Sequence, residues 1–330
     1  MANHLVCISP AHMDPSYAIE RKGLGPDVDL HVFSAVDPDT IGREAREADA
    51  IMTWRMRIEA PAIEQLERCK LIIRMGVGFD VVDTEAAKSR GIPVCNVPDY
   101  CTNEVADHAL GLLLTLARGI VTFNDGLRSG DEAWSWAAAG PLSRITGKTL
   151  GIIGLGRIGT AVALRAKAFG MRVAFFDPYV SDGMERALGL TRLPLDDLLA
   201  ESDYLSLHTP LTSETRGMVN AAFLARVKTG VTIINTSRGP VVDVDSLEAA
   251  MREGRVGAAA LDVLPQEPPV PAPGLLQAWR ANEEWLRGRL VLTPHAAFYS
   301  GESDHDMRVK ATQTVRDVLD GMPFRNRVNP

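Results

Sequence analysis

Short runs of apolar, mostly β-branched residues alternate with helix-like stretches along most of the chain, and the series occurs twice. In the first series the runs are 5–9, 28–33, 50–53, 71–75 and 93–96, with helix-like segments such as 39–47 and 61–69 between them. The second comprises 150–154, 172–176, 204–208, 231–235, 258–262 and 290–293. Apolar strands separated by helices imply parallel sheets covered on both faces. The expectation is α/β: two doubly wound parallel-sheet domains, five strands and then six, with a cleft between them. A length of 330 residues suits two domains. Residues 102–118 (TNEVADHALGLLLTLAR) read as one helix with Gly119 just past its end. At about 1.5 Å per residue it is long enough to pass from one domain to the other. The proline-rich PQEPPVPAP (265–273) is a loop. A last helix, 307–321, is expected to return to the first domain.

Composition narrows the classes. Lys+Arg number 35 and Asp+Glu 42, a net charge of −7, which speaks against a nucleic-acid backbone binder. At 46% apolar and 23% charged, the chain can bury a core. Its longest apolar stretch, 109–117, falls short of the ~20 residues that span a bilayer. The first basic residue is Arg21, so no secretory leader is expected. Cys7, Cys69, Cys95 and Cys101 form no C-x-x-C pair and suit a reducing, cytoplasmic compartment. His305 and Asp306 have no metal-ligand spacing, and no metal is expected.

Gly154-Leu155-Gly156-Arg157-Ile158-Gly159 is a G-x-G-x-x-G between an apolar strand and a helix expected over 160–169, and the next strand ends at Asp177. Gly154 permits the tight turn, Gly156 lets backbone approach a pyrophosphate, and Gly159 lets helix and strand pack closely. A carboxylate at Asp177 accepts from ribose hydroxyls and repels a 2′-phosphate, which favours NAD over NADP. Gly147-Lys148-Thr149 is not a P-loop, because Leu142 stands where a glycine is required.

Ligands of such sheets bind at the carboxyl ends of strands. Arg238, in NTSRG, follows the strand 231–235. Glu267 follows 258–262, and His295, in TPHAAFYS, follows 290–293. Histidine is the natural proton shuttle near neutral pH, and a neighbouring carboxylate favours its imidazolium. A guanidinium suits a keto acid, whose carbonyl it polarises and whose carboxylate it binds.

Seven segments together resemble the D-isomer-specific 2-hydroxyacid dehydrogenases. They are RMGVGFDVVD (74–83), NEVADHALGLLL (103–114), GIIGLGRIG (151–159), HTPLTSETRGMVN (208–220), INTSRGPVVD (234–243), ALDVLPQEP (260–268) and TPHAAFYS (293–300). VADH and TPHAAFYS resemble above all the C-terminal-binding-protein branch. The resemblance implies a flavodoxin-like substrate-binding (catalytic) domain of residues 1–101 and 299–330, and a Rossmann NAD-binding domain of 102–298. It implies that Arg238 binds the keto-acid carboxylate and carbonyl, that Glu267 pairs with His295, and that His295 is the general acid in reduction. On the cofactor side it implies Gly154, Gly156, Arg157, Ile158, Gly159 and Asp177. Thr209 and Pro210 lie near the adenine, and Thr236 and Ser237 near the nicotinamide, with Arg238 and His295 beside them. Asp262 meets the carboxamide. The backbone N–H groups of Gly76, Val77 and Gly78 hold the substrate carboxylate, with Val77 also near NAD. Phe298 stands where that branch typically has Trp and changes one pocket wall. Glu267 stands where the related formate dehydrogenases carry Gln, which argues against that activity.

The expected function is reversible reduction of a 2-keto acid to a D-2-hydroxy acid by NADH, the stereochemistry coming from the resemblance. The alternatives are an NAD(H)-sensing, corepressor-like binding protein and a dehydrogenase for another oxyanion such as phosphite. Arg238, Glu267 and His295 together favour chemistry. Small 2-keto and 2-hydroxy acids are the expected partners, with neither nucleic acid nor membrane. The resemblance implies a homodimer formed through the cofactor domain. Trp134 and Trp136 read as apolar anchors at a subunit contact, Arg55 or Arg57 as a second anion contact or a solvated charge, Cys101 as structural, and His108 as hydrogen-bonded rather than catalytic.

Overall fold

The structure is a computed structural model that describes residues 3–10, 14–130 and 134–330. The chain divides into two compact units: Met1–Cys101 with Tyr299–Pro330, and Thr102–Phe298.

The first unit is built on strands β1 (His4–Ile8), β2 (Val28–Val32), β3 (Ala50–Thr53), β4 (Leu71–Arg74) and β5 (Val94–Asn96). They pair in parallel in the order β2-β1-β3-β4-β5, the flavodoxin-like order. Every residue of β3 is buried, as expected of a strand covered on both faces. Ile41, Ile51, Ile63, Leu66 and Ile72 form much of the core, each side chain contributing about 1.5–3 kcal/mol by leaving water. The closing helix, Gly301–Leu319, begins six residues before the expected start. Ser300 and Ser303 cap each other reciprocally there, a signal the apolar pattern does not carry. This helix packs against the helix Ala18–Leu24. There Arg308 holds the fully buried Glu20 with two hydrogen bonds of 2.7 Å and Asp14 with one of 2.8 Å. Asn329 stitches the terminal segment to β5, accepting from Val94 N and donating to Ile92 O.

The second unit holds β6 (Thr149–Ile153), β7 (Arg172–Phe176), β8 (Thr191–Arg192), β9 (Tyr204–Leu207), β10 (Val231–Asn235), β11 (Val256–Leu261) and β12 (Leu290–Leu292). Their order is β12-β11-β10-β9-β6-β7-β8, all pairs parallel, which is the Rossmann arrangement with one further strand. The sheet has seven strands rather than the six expected. β8 is only two residues long and pairs at the sheet edge, too short to show any period. The helix Thr102–Ala117 buries Ala106, Ala109, Leu110 and Leu113 against this unit's core and packs on the helix Arg157–Ala168. The chain then bends by 64° into the helix Ile120–Ser129, at Gly119 with φ +62. Among the described residues no single helix is long and apolar enough to cross a membrane. Trp134 and Trp136, expected as anchors, are 91% and 85% exposed on this chain. The residues 131–133 beside them lie outside the described residues.

Candidate active site

The glycine turn joins β6 to the helix Arg157–Ala168, which starts at Arg157, three residues before the expected position. Gly156 is its N-cap, in extended conformation with φ −74, so the helix N-terminus opens directly on the turn. The three glycines meet different surroundings. Gly154 has φ +92, and a Cβ there would stand 2.8 Å from the carbonyl oxygen of His208. A Cβ on Gly159 would stand 2.1 Å from the carbonyl oxygen of Gly154. A Cβ on Gly156 would meet nothing within 4 Å, so here the backbone is open to a ligand. Arg157 is exposed and Ile158 half-buried in the helix's first turn.

Asp177 follows β7 directly. Its carboxylate accepts from Leu155 N and from Tyr179 N, both at 2.8 Å, and so ties the glycine turn to the end of the next strand. Thr209 and Pro210 follow His208, whose backbone abuts Gly154. Burial pushes the His208 imidazole down to about 4, and its Nε2 lies 2.8 Å from Ser206 Oγ. The hydroxyl oxygens of Thr209 and Thr236 are buried without a hydrogen-bond partner among the described residues. Buried hydroxyls are ordinarily paired. Two orphans beyond β9 and β10, an open Gly156 and a carboxylate beyond β7 fit a dinucleotide lying across the carboxyl ends of this sheet.

Beyond β10 the backbone folds around Asn235. Its Oδ1 accepts from Ser237 N and Ser237 Oγ, and its Nδ2 donates to Arg238 O. Thr236 and Ser237 are buried within this turn, and Arg238 Nη1 donates to Ser237 O at 2.7 Å. A Cβ on Gly239 would stand 1.9 Å from Leu264 O, so the turn lies directly against the loop beyond β11. On that loop Glu267 Oε1 accepts from Leu264 N at 3.0 Å, and Oε2 meets His295 Nδ1 at 2.6 Å. Both residues are about a third exposed. A carboxylate held by a backbone N–H fixes the ring through Nδ1 and leaves Nε2 for other partners.

His295 has φ +53, an uncommon conformation for a residue with a side chain. It is held there by Asp262. The carbonyl oxygen of Asp262 accepts from His295 N at 2.7 Å. The carboxylate, nearly fully buried, accepts from Thr293 Oγ1 (2.5 Å), Ala296 N (2.8 Å) and Ala297 N (3.0 Å). Phe298 meets the His295 ring edge to face, with centroids 6.3 Å apart.

Gly76, Val77 and Gly78 belong to the first unit, beyond β4. The carbonyl oxygens of Gly76 and Val77 are taken by Val97 N and Asn96 Nδ2. The guanidinium of Arg74 lies so close over Gly76 (φ +144) that a Cβ there would be 1.3 Å from Nη1. Arg55 stacks on the Trp54 ring, Arg57 pairs with Glu59, and Cys101 is buried. Sequence reasoning did not single out Arg74, Asn235 or Thr293. A basic residue ending β4 and an Asn before a polar turn were the available signals for the first two; Thr293 acts only through tertiary contacts.

Residues 110–297 match the model of the family described as D-isomer specific 2-hydroxyacid dehydrogenase, NAD binding domain. The chain is 36% identical over 307 residues to a D-3-phosphoglycerate dehydrogenase of Mycobacterium bovis, covering 93% of this chain and 56% of that protein. It thus spans about half the length of the curated relatives it matches. Among solved structures, it is similar to a glyoxylate reductase from Paecilomyes thermophila, with TM-score 0.86, 28% identity, and coverage of 99% of this chain and 98% of that one. It is likewise similar to a D-lactate dehydrogenase from Aquifex aeolicus complexed with NAD and lactic acid, with TM-score 0.81, 29% identity and 96% coverage of each. With an NAD-binding unit whose turn, orphan hydroxyls and Asp177 fit that cofactor, the chain belongs to the D-isomer specific 2-hydroxyacid dehydrogenase family.

Proposed function

We propose that this protein is an NAD-dependent dehydrogenase that interconverts 2-keto acids and D-2-hydroxy acids, with His295 as its general acid and base. The observation that carries the reading is the 2.6 Å contact between Glu267 and His295, on loops beyond β11 and β12 of the NAD-binding unit. Held at the glycine turn and Asp177, the cofactor would supply the hydride as NADH and accept it as NAD. In the reduction direction His295 Nε2 gives its proton to the carbonyl oxygen, and in oxidation it takes the hydroxyl proton back. Glu267 stabilises the imidazolium and sets the ring's orientation. Arg238, on the turn folded by Asn235, orients the substrate carboxylate and stabilises negative charge developing on the oxygen. Phe298 forms an apolar wall beside His295. The test is a fluorescence-monitored screen of NADH oxidation across small, branched, aromatic and sugar-derived 2-keto acids. Turnover of at least one is expected; none across the panel would refute the reading.

We also propose that the protein is a homodimer, joined through the surface around Trp134 and Trp136. The exposure of both indoles supports this, as does that of Ile120 and Leu127 on the helix Ile120–Ser129, which packs against the turn Trp136–Ala139. Monomers rarely show such apolar patches. Light scattering is expected to give twice the chain mass, and Trp134→Ser with Trp136→Ser to halve it; a monomeric wild type would contradict the proposal.

A further inference from the structure

His108 lies on the helix Thr102–Ala117, half-buried, with Nε2 3.0 Å from Thr293 Oγ1. Thr293 Oγ1 is in turn 2.5 Å from Asp262 Oδ1. Hydrogen-bond roles along this chain follow from the groups themselves. An ionised carboxylate only accepts, so the single hydroxyl proton of Thr293 goes to Asp262. The hydroxyl then offers His108 only a lone pair, and His108 must donate from Nε2. The same Asp262 oxygen accepts from Ala296 N, and its partner oxygen from Ala297 N, so Thr293 before His295 and Ala296 and Ala297 after it hang on one carboxylate. His295 itself keeps φ +53. Such a conformation persists where surrounding contacts over-determine it.

We propose that His108 is a positioning residue: by donating to Thr293 Oγ1 it fixes the Thr293–Asp262 pair from which the His295 loop is suspended. His108 touches no reacting atom in this scheme. Its side chain reaches the loop from a helix 185 residues away in sequence. Without its N–H, the Thr293 lone pair faces a side chain that cannot donate, and one support of the loop is lost. The consequence falls on the placement of the His295 ring rather than on the glycine turn. The proposal rests on His295 acting as described above.

The test compares His108→Leu, His108→Gln, Thr293→Val and the His108→Leu/Thr293→Val double variant in the full chain. Gln places an amide N–H near the position of Nε2; Leu does not. Two readouts are used: steady-state kinetics with NADH and a turned-over 2-keto acid, and the ring signals of His295 in 13C-histidine-labelled protein, identified by their loss in His295→Gln. His108→Leu is expected to lower kcat about tenfold, in keeping with the sensitivity of such chemistry to small misplacements, with KM for NADH unchanged within about twofold. It is also expected to shift or broaden the His295 signals. His108→Gln should restore both readouts, and adding His108→Leu to Thr293→Val should cost no further rate than Thr293→Val alone, since His108 acts through a hydroxyl that Val already lacks. Should His108→Leu not fold, Thr293→Val is expected to show losses at least as large in the same two readouts, because it also removes the bond to Asp262. Unmoved His295 signals in His108→Leu, or losses that multiply in the double variant, would overturn the proposal. Absence of wild-type turnover on every acid would count against the reading of the site, while the His295 signals still decide the positioning role.

Discussion

Replacing Gly156 and Gly159 by alanine, one at a time, separates what the glycine turn does for folding from what it does for the cofactor. At Gly159 the new methyl would stand 2.1 Å from a backbone oxygen, over 1 Å inside the ~3.3 Å of the closest C···O contacts. Strand and helix must then separate, at about 1–3 kcal/mol or more. For a unit of this size that is a fall of roughly 3–10 °C in its unfolding temperature. At Gly156 the methyl meets nothing within 4 Å, and φ −74 suits alanine. The poorer N-cap and the reduced entropy of the unfolded chain offset each other to within about 1 kcal/mol. The methyl instead occupies the approach of the pyrophosphate, so the Kd for NADH is expected to rise at least tenfold, about 1.4 kcal/mol. Thermal unfolding and NADH fluorescence titration read the two effects. Gly159→Ala should lose stability and binding; Gly156→Ala should lose binding alone. Wild-type NADH affinity in Gly156→Ala, or a wild-type melt in Gly159→Ala, would refute this assignment of the turn.

Two further outcomes follow from the site. Glu267→Gln keeps an acceptor for Leu264 N but removes the charge facing His295. A charge-assisted bond is worth about 1.5–3 kcal/mol, and partial exposure puts this one at the lower end, so kcat should fall about tenfold with the Kd for NADH unchanged. Steady-state kinetics beside a fluorescence titration check it, and unaltered kcat would contradict the pairing. His208, whose folded-state value is pushed by burial from 6.5 to about 4, makes the protein sensitive to acid. Between those values the unfolded chain takes up a proton that the native state does not, so stability falls as pH drops from about 6.5 to about 4 and this group adds no further loss below that. Denaturant melts of His208→Gln should show a shallower loss than wild type across that window; parallel curves would contradict it.

The strands were legible because parallel strands buried on both faces carry no polar alternation. β3 (AIMT) and β9 (YLSL) are buried at every position. β8 was not, because two residues paired at a sheet edge have no period to detect. The early helix start at Arg157 was hidden by glycines that read as turn and serve as cap. In the site, the carboxyl-end rule locates Arg238, Glu267 and His295 after β10, β11 and β12. Much of what holds them is tertiary and leaves no spacing: three donors on the Asp262 carboxylate and a helix histidine on Thr293.

The most direct measurement is single-turnover oxidation of bound NADH by a saturating 2-keto acid, compared in wild type and His295→Gln. If His295 supplies the proton, the variant should be slower by about 10²–10⁴-fold and yet bind NADH with nearly wild-type affinity. Equal rates in the two proteins would remove His295 from the reaction.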